Sequence, residues 1–464
     1  MRIRDHDTIA AVATPPGEGA IGIIRISGAS AHAVAEKCFR GRVKLSEVAG
    51  YTVHHGFIVD RSGKEVDEVL VTVFRSPHSY AGEDSVEVNC HGGLITTDRI
   101  LKVVLECGAR QADPGEFTRR AFLNGKLDLS QAEAVADLIA AKSTRSQEMS
   151  LGQLRGNLGL AVRAIKESLV EMCALLEVDL DFSEEGITII TSHQVSSRIE
   201  VCKSKISALL CSYTSGKVLR EGVRVALVGL PNAGKSSIFN RLLEEDRAIV
   251  APTPGTTRDY LEESISISGV LFSLTDTAGL RKTDDFVEAE GLNRTVSATK
   301  MSDIVVAVID SSITTDRAAG IESMEKVGGA SKVLLLFNKL DIACDKEREP
   351  SKFELNGSEV HEIFASALTG QGMGKVCQTL LEMAVGDRFS ENEGIKVSSQ
   401  RIADALRRAL EFLSQAEESV NSGHTSEFVA LDVRGAVASL SEITGEVTNE
   451  DVLSRVFSSF CIGK

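Results

Sequence analysis

"VRVALVGLPNAGKSS", residues 223–237, decides how this chain is read. A short β-rich run ends at a glycine, and an amphipathic stretch, "SSIFNRLLEE", follows the lysine. The pattern G-x-x-x-x-G-K-S therefore lies at a strand-to-helix turn, where backbone N–H groups can wrap a β-phosphate. Lys235 is placed to neutralise β/γ charge and Ser236 to bind magnesium through its hydroxyl, with Asn232, Ala233, Gly234 and Ser237 forming the rest of the cradle. Working outward, "LEESISIS", "VLFSLTD", "DIVVAVID", "KVLLLFN" and "EVHEIFAS" alternate with helical patterns, the rhythm of a doubly wound sheet.

Further motifs specify the nucleotide. In "DTAG", Asp276 is expected to hold the magnesium shell through water and the Gly279 N–H to meet a γ-phosphate, with Thr277 and Ala278 between them. "NKLD" runs from Asn338 through Lys339 to Asp341, whose carboxylate can accept hydrogen bonds from the N1–H and 2-amino groups of guanine. Adenine offers no such pair of donors, and a polar site of this kind can discriminate by ~10⁴. "SAL", Ser366, Ala367 and Leu368, fits a loop that supports the base. In "PGTTRD", Thr256 and Thr257 sit where a threonine must reach magnesium, and Thr257 is the candidate; an ordinary Pro-Gly turn is the alternative. Together these favour GTP over ATP. Leu280, which follows the DTAG turn, has neither donor nor acceptor and cannot orient an attacking water.

At 464 residues with 43% hydrophobic content the chain should hold about three domains. Residues 1–118 mix β-rich runs with one helical stretch, an α+β domain. Residues 119–220 are helical, opening with a capping-box pattern at Ser130 and Glu133; residues 221–380 are α/β; residues 381–464 return to helix and end in the tail "CIGK". A helical body formed from two chain segments and interrupted by an inserted α/β domain accounts for this order.

No charged and apolar leader opens the chain, and its longest apolar runs fall far below the roughly 20 residues of a membrane span, so a cytoplasmic protein without membrane contact is expected. The nine cysteines include no C-x-x-C pair, which suggests reduced thiols rather than a disulfide framework or zinc site. His54, His55 and His91 read as structural or surface residues. A formal charge of −15 repels nucleic acid over much of the surface, so RNA contact must use a local basic patch or a partner protein.

Two charged residues in the first domain stand out. Arg25 lies among apolar residues in "GAIGIIRISG", and "DSVEVNC" alternates Val86 and Val88 with Glu87 and Asn89, directing Glu87 toward a polar site. An ion pair between Arg25 and Glu87 is the alternative use of both.

With these residues in place the chain resembles the MnmE (TrmE) family of tRNA-modification GTPases. Besides the nucleotide motifs, the resemblance rests on "ATPPGEGAIGIIRISG", "SYAGEDSVEVNCHGG", "PGEFTRRAFLNGKLDLSQAEAV" and "FCIGK", and it covers essentially the whole sequence. It implies a multidomain protein: an N-terminal α+β folate-binding domain that forms a homodimer, an all-α domain from two segments, and an inserted Ras-like α/β P-loop GTPase domain. It further implies potassium held by Asn232 and by carbonyls around Ala251, Thr253 and Thr256, with Glu288 orienting the water and Glu290 as the neighbouring candidate. Arg25, Glu87, Lys126 and Lys464 match the family's positions for 5-formyl- or methylene-tetrahydrofolate.

The implied partner is a flavoprotein, MnmG, in a heterotetramer. The implied reaction adds an aminomethyl or carboxymethylaminomethyl group at C5 of a tRNA wobble uridine. Cys461 in the tail reads equally as a catalytic thiol or a small buried hydrophobe. Two other functions fit parts of the sequence: a non-enzymatic GTP switch with a purely structural first domain, and a folate-dependent aminomethyltransferase acting on a metabolite.

Overall fold

The structure is a computed structural model that describes residues 7–182, 189–245, 262–276, 302–313, 332–343, 350–355, 358–386 and 394–464. It forms two compact units, one of Met1–Ala136, Leu154–Lys166 and Val437–Lys464, the other of Asp137–Gln153 and Glu167–Ala436. Among the described residues no helix is long and apolar enough to cross a membrane.

The first unit is built on β1 (Ile9–Val12), β2 (Ile21–Ser27), α1 (Ala31–Cys38), β3 (Phe39–Gly41), β4 (Thr52–Val59), β5 (Glu65–Phe74), β6 (Ser85–His91), α2 (Leu94–Glu106), β7 (Arg110–Gln111), α3 (Glu116–Leu123) and the start of α4 (Leu129–Ala140). The strands form one sheet in the order β3-β4-β5-β6-β2-β1-β7, antiparallel except where β1 meets β7. Period-two alternation decides its faces. Ile24, Ile26, Val69, Val71, Val73, Val86 and Val88 are buried in one core with Val34 and Cys38 of α1 and Ile100 and Val104 of α2. The intervening residues Arg25, Leu70 and Glu87 occupy the opposite face.

The cap of α4 differs from the sequence expectation. Asp128 rather than Ser130 caps it: the Asp128 carboxylate accepts from Gln131 N at 2.9 Å, and the Gln131 side chain accepts from Asp128 N at 2.9 Å. Asp-x-x-Gln satisfies the same reciprocal geometry two residues earlier, and Ser130 becomes a first-turn residue whose hydroxyl also donates to Asp128.

The remaining elements are α5 (Thr144–Leu154), α6 (Asn157–Phe182), α7 (Ser192–Cys211), α8 (Tyr213–Glu221), β8 (Val223–Val228), α9 (Lys235–Glu245), β9 (Glu262–Ile267), β10 (Val270–Asp276), β11 (Ile304–Asp310), β12 (Lys332–Asn338), β13 (Ser351–Leu355), β14 (Ser358–Phe364), α10 (Met373–Val385), α11 (Gln400–Asn421), α12 (Ser426–Thr444) and α13 (Glu450–Ser458). In the second unit α7 and α11 pack lengthwise. Ile402, Leu406, Ala409, Leu413 and Ala416 give α11 one buried stripe at helical spacing, and Lys203 pairs with Glu417 at 2.6 Å.

The sheet of the second unit runs β13-β14-β12-β11-β8-β10-β9, with β10, β8, β11, β12 and β14 parallel and an antiparallel strand at each edge. Its central strands are near-continuous apolar runs because both faces are covered: Leu227, Val306 and Leu336 lie in one core, Val228, Ala307 and Phe337 in another. Strand order reverses at β8, which has β10 on one side and β11 on the other, so a crevice for ligand opens at its carboxyl end.

Candidate functional site

The turn from β8 into α9 carries the phosphate-loop residues. A side chain at Gly229 would collide with the Val308 carbonyl of β11, and one at Gly234 with the Asn338 amide, so close approach requires glycine at both. Asn232 adopts a left-handed φ of 62° at the exposed tip, a conformation asparagine tolerates. Lys235 is buried and folds back over the loop, donating to the Gly229 and Leu230 carbonyls at 2.8 and 2.9 Å. Ser236 and Ser237 stand exposed on the first turn of α9.

Asn338, at the end of β12, ties this loop to the SAL loop. Only 2% exposed, it donates from Nδ2 to the Ala233 carbonyl at 3.0 Å and accepts from Ala367 N at 3.1 Å. Its own carbonyl accepts from Ser311 N at 2.9 Å and Ser311 Oγ at 2.6 Å. The buried Ser366 hydroxyl donates to Asp341 and accepts from Thr369 N at 3.2 Å, which links the NKLD carboxylate to the SAL loop. Leu368 is exposed.

Lys339, at φ 68°, pairs with Asp310 at 2.6 Å. Burial raises the Asp310 carboxyl, but hydrogen bonds from Lys339 and Ser312 outweigh it and hold the group below its ordinary range. Asp310 and Ser311 are supporting residues that the motif reading missed; the signal was an Asp-Ser pair at the end of an apolar strand.

Asp276 ends β10 with its backbone paired to Leu227 of β8, the strand that leads into the phosphate loop. The Asp276 side chain and Ala251, Thr253, Thr256, Thr257, Thr277, Ala278, Gly279, Leu280, Glu288 and Glu290 lie outside the described residues.

A second polar site lies on the sheet face of the first unit opposite α1 and α2. Cross-strand register sets Arg25 of β2 opposite Glu87 of β6, and the guanidinium meets Glu87 Oε1 through both Nε and NH2 at 2.9 Å. Arg25 lies 5.1 Å from the ring centre of Tyr80 and 5.7 Å from that of Phe117. The C-terminal tail reaches the same place, with the Gly463 carbonyl 3.4 Å from Arg25 NH1 and Lys464 Nζ 5.7 Å from the Tyr80 ring centre. Burial and the neighbouring Arg25 charge lower the Lys464 ammonium from its ordinary value, opposed by Glu87. Cys461 is exposed. Lys126 instead donates to the Pro77 carbonyl at 3.2 Å and packs beside Gly82, reaching the loop that carries Tyr80.

Beside this site, Asp7, Glu83, Arg110, Glu116 and Arg120 form one ion network. Arg120 meets Asp7 at 2.7 Å, Glu116 at 3.0 Å and Glu83 at 3.3 Å. Burial raises the Glu116 carboxyl, but bonds from Arg110, the Asp113 N–H and Arg120 bring it below its ordinary value. The network fixes the start of α3 and hence Phe117 and Thr118. Tyr80 and Phe117 are the site residues that sequence reading overlooked, although both lie in the blocks "SYAGED" and "PGEFTRR".

Residues 8–126 match the family model described as the GTP-binding protein TrmE N-terminus, and residues 129–461 match that of the MnmE helical domain. The chain belongs to the MnmE (TrmE) family of tRNA modification GTPases. MnmE proteins named tRNA modification GTPase align along its full extent. That of Symbiobacterium thermophilum is 44% identical over 99% of this chain and 100% of its own. That of Moorella thermoacetica is 42% identical over 99% of each, and that of Carboxydothermus hydrogenoformans 40% identical over 99% of this chain and 100% of its own. MnmE membership makes this chain a GTP hydrolase acting in tRNA modification.

Proposed function

We propose that this chain is a potassium-activated GTPase of the cytoplasm. It acts as a homodimer with the flavoprotein MnmG, in a heterotetramer, to add an aminomethyl or carboxymethylaminomethyl group at C5 of the wobble uridine of certain tRNAs. A tetrahydrofolate derivative, 5-formyl or methylene, supplies the carbon. Residues 1–118 serve as the folate-binding and dimerisation domain, 119–220 and 381–464 as the helical domain and 221–380 as the G domain.

The observation that carries this reading is the convergence of Arg25, Glu87 and Lys464 on one aromatic platform, in the unit that lacks the phosphate loop. Their chemistry suits a pterin with an acidic tail: the Glu87 carboxylate can accept from amino and ring N–H groups, while Arg25 and Lys464 can donate to carbonyl or carboxylate oxygens. Exposed Ile21, Val53 and Leu70 on uncovered sheet strands support a homodimer through this unit.

In the GTPase site, Ser236 offers a hydroxyl for magnesium and Asn232 an exposed amide oxygen for potassium, both hard oxygen donors. Potassium there supplies positive charge beside the phosphates, the role an arginine finger fills in other GTPases. Asn338 and Ser366 hold the loops around the nucleotide, and Lys235 can exchange its loop carbonyls for phosphate oxygens.

The test is mass spectrometry of tRNA nucleosides from a strain lacking this protein, complemented with wild type, with residues 461–464 deleted, or with Arg25→Ala. Both variants are expected to lose the wobble modification and to keep near-normal potassium-dependent GTP hydrolysis. A truncated protein that still modifies tRNA would remove the tail from the reaction. One that loses GTP hydrolysis would make the tail structural.

A further inference from the structure

Two cations share one ring in the first unit. Arg25 and Lys464 both lie over Tyr80, and the Glu87 carboxylate faces them as the counter-charge. Besides the Glu87 carboxylate, the electron-rich face of Tyr80 attracts both positive groups. The ring itself is held at its edge: Tyr80 Oη and Thr118 Oγ1 are 2.8 Å apart, and Thr118 and Phe117 are fully buried. Burial raises the Tyr80 phenol, opposed by the Thr118 hydrogen bond and the Arg25 charge, so the ring stays neutral at working pH. The tail follows a fixed path to this point. Gly463 has φ 98°, and a side chain there would strike the Val12 carbonyl of β1.

We propose that Tyr80 is a positioning residue whose ring seats Lys464 beside Arg25, so that the C-terminal tail closes one wall of the site before ligand binds. The identity of that ligand rests on the folate reading above; the seating of the tail does not. The arrangement presents two donors next to an aromatic face, which suits a flat heteroaromatic group bearing a carboxylate.

Two measurements on the full-length protein separate the two claims. The first is the rate at which carboxypeptidase B removes Lys464, followed by intact mass; the second is calorimetric binding of 5-formyltetrahydrofolate. Tyr80→Leu removes the π face and should release Lys464 roughly tenfold faster, with folate affinity falling by a similar factor. Tyr80→Phe keeps the ring and loses only the Thr118 bond, so both values should stay within about threefold of wild type. A thermal melt shows whether Tyr80→Leu folds. If it does not, Tyr80→Met offers an unbranched, adaptable side chain without a π face and should show the same faster release.

Wild type that binds no folate, alongside faster release from the Leu or Met variant, sinks the folate reading and supports the role of Tyr80. Folate binding and Lys464 protection both unchanged without the ring overturn the role of Tyr80 and leave the folate reading standing. Failure of Tyr80→Phe to restore protection overturns it as well, because the ring would then not be what seats the tail.

Discussion

Asn338→Asp offers a sharp test of how the GTPase site is held together. The substitution keeps the side chain's shape and the acceptor for Ala367 N, but it replaces the donor to the Ala233 carbonyl with an oxygen 3.0 Å from that carbonyl. Asn338 is 2% exposed and touches Gly234 so closely that a methyl group would not fit there, which leaves little room for a compensating water. Leaving one buried carbonyl unpaired costs about 1–3 kcal/mol, a loss of roughly 5- to 150-fold in GDP affinity if the tie supports the bound loop. The introduced carboxyl has its pKa raised by burial and by the facing carbonyl.

Its protonated form can donate to Ala233 and restore the bond. In the folded protein the penalty is small where the carboxyl is protonated and complete where it is ionised. The defect should therefore shrink as pH falls from about 8 toward about 5.5 and grow as pH rises. Titration with a fluorescent GDP analogue, with wild type measured at each pH, gives both quantities. Affinity within about threefold of wild type at neutral pH would refute a supporting role for the Asn338–Ala233 bond. A defect that does not change with pH would refute protonation of the introduced carboxyl within this range.

Other predictions concern the catalytic step. GTP hydrolysis should run faster in KCl than in NaCl at matched ionic strength, and Asn232→Ala should abolish the difference; equal wild-type rates in the two salts would end the potassium assignment. Glu288→Ala should leave GTP affinity within a few-fold of wild type and cut turnover by ~10² or more, as expected of a group that acts in the transition state. If Glu290→Ala shows that loss and Glu288→Ala does not, the water-orienting role moves to Glu290.

What the sequence made legible was local or periodic. The apolar-polar alternation of "DSVEVNC" placed Glu87 on the face opposite Val86 and Val88, and the structure puts it there. The phosphate loop was readable because a strand, glycines and a helix follow one another directly. The helix cap was harder: Asp128-x-x-Gln131 and Ser130-x-x-Glu133 satisfy the same rule, and the carboxylate at Asp128 prevails by accepting from both the Ser130 hydroxyl and Gln131 N. Strand β13 went unrecognised because "SKFEL" is short and pairs only at an edge. The tie from Asn338 to Ala233 and the meeting of Tyr80 with Lys464 left no periodic trace, since each joins residues remote in sequence.

That remoteness bears on how the polar site of the first unit is specified. Arg25 and Glu87 face each other through strand register, which the buried residues on either side enforce: a slip of one residue would turn Ile24, Ile26, Val86 and Val88 out of the core. Lys464 arrives by a different route. Phe457, in the last turn of α13, and Phe460, two residues beyond the helix, are buried with Leu129, Ala132 and Val135 of α4. Gly115, with φ 68° before α3, lets Phe457 and Phe460 approach to a distance that any side chain there would block. The apolar anchors end only a few residues before Lys464, so the tail is delivered to the sheet by a packed helix and not by a free end. Changes to the α4 core and changes to the strand pair thus reach the same place, the ring of Tyr80, although they begin in parts of the sequence with no local relation to each other.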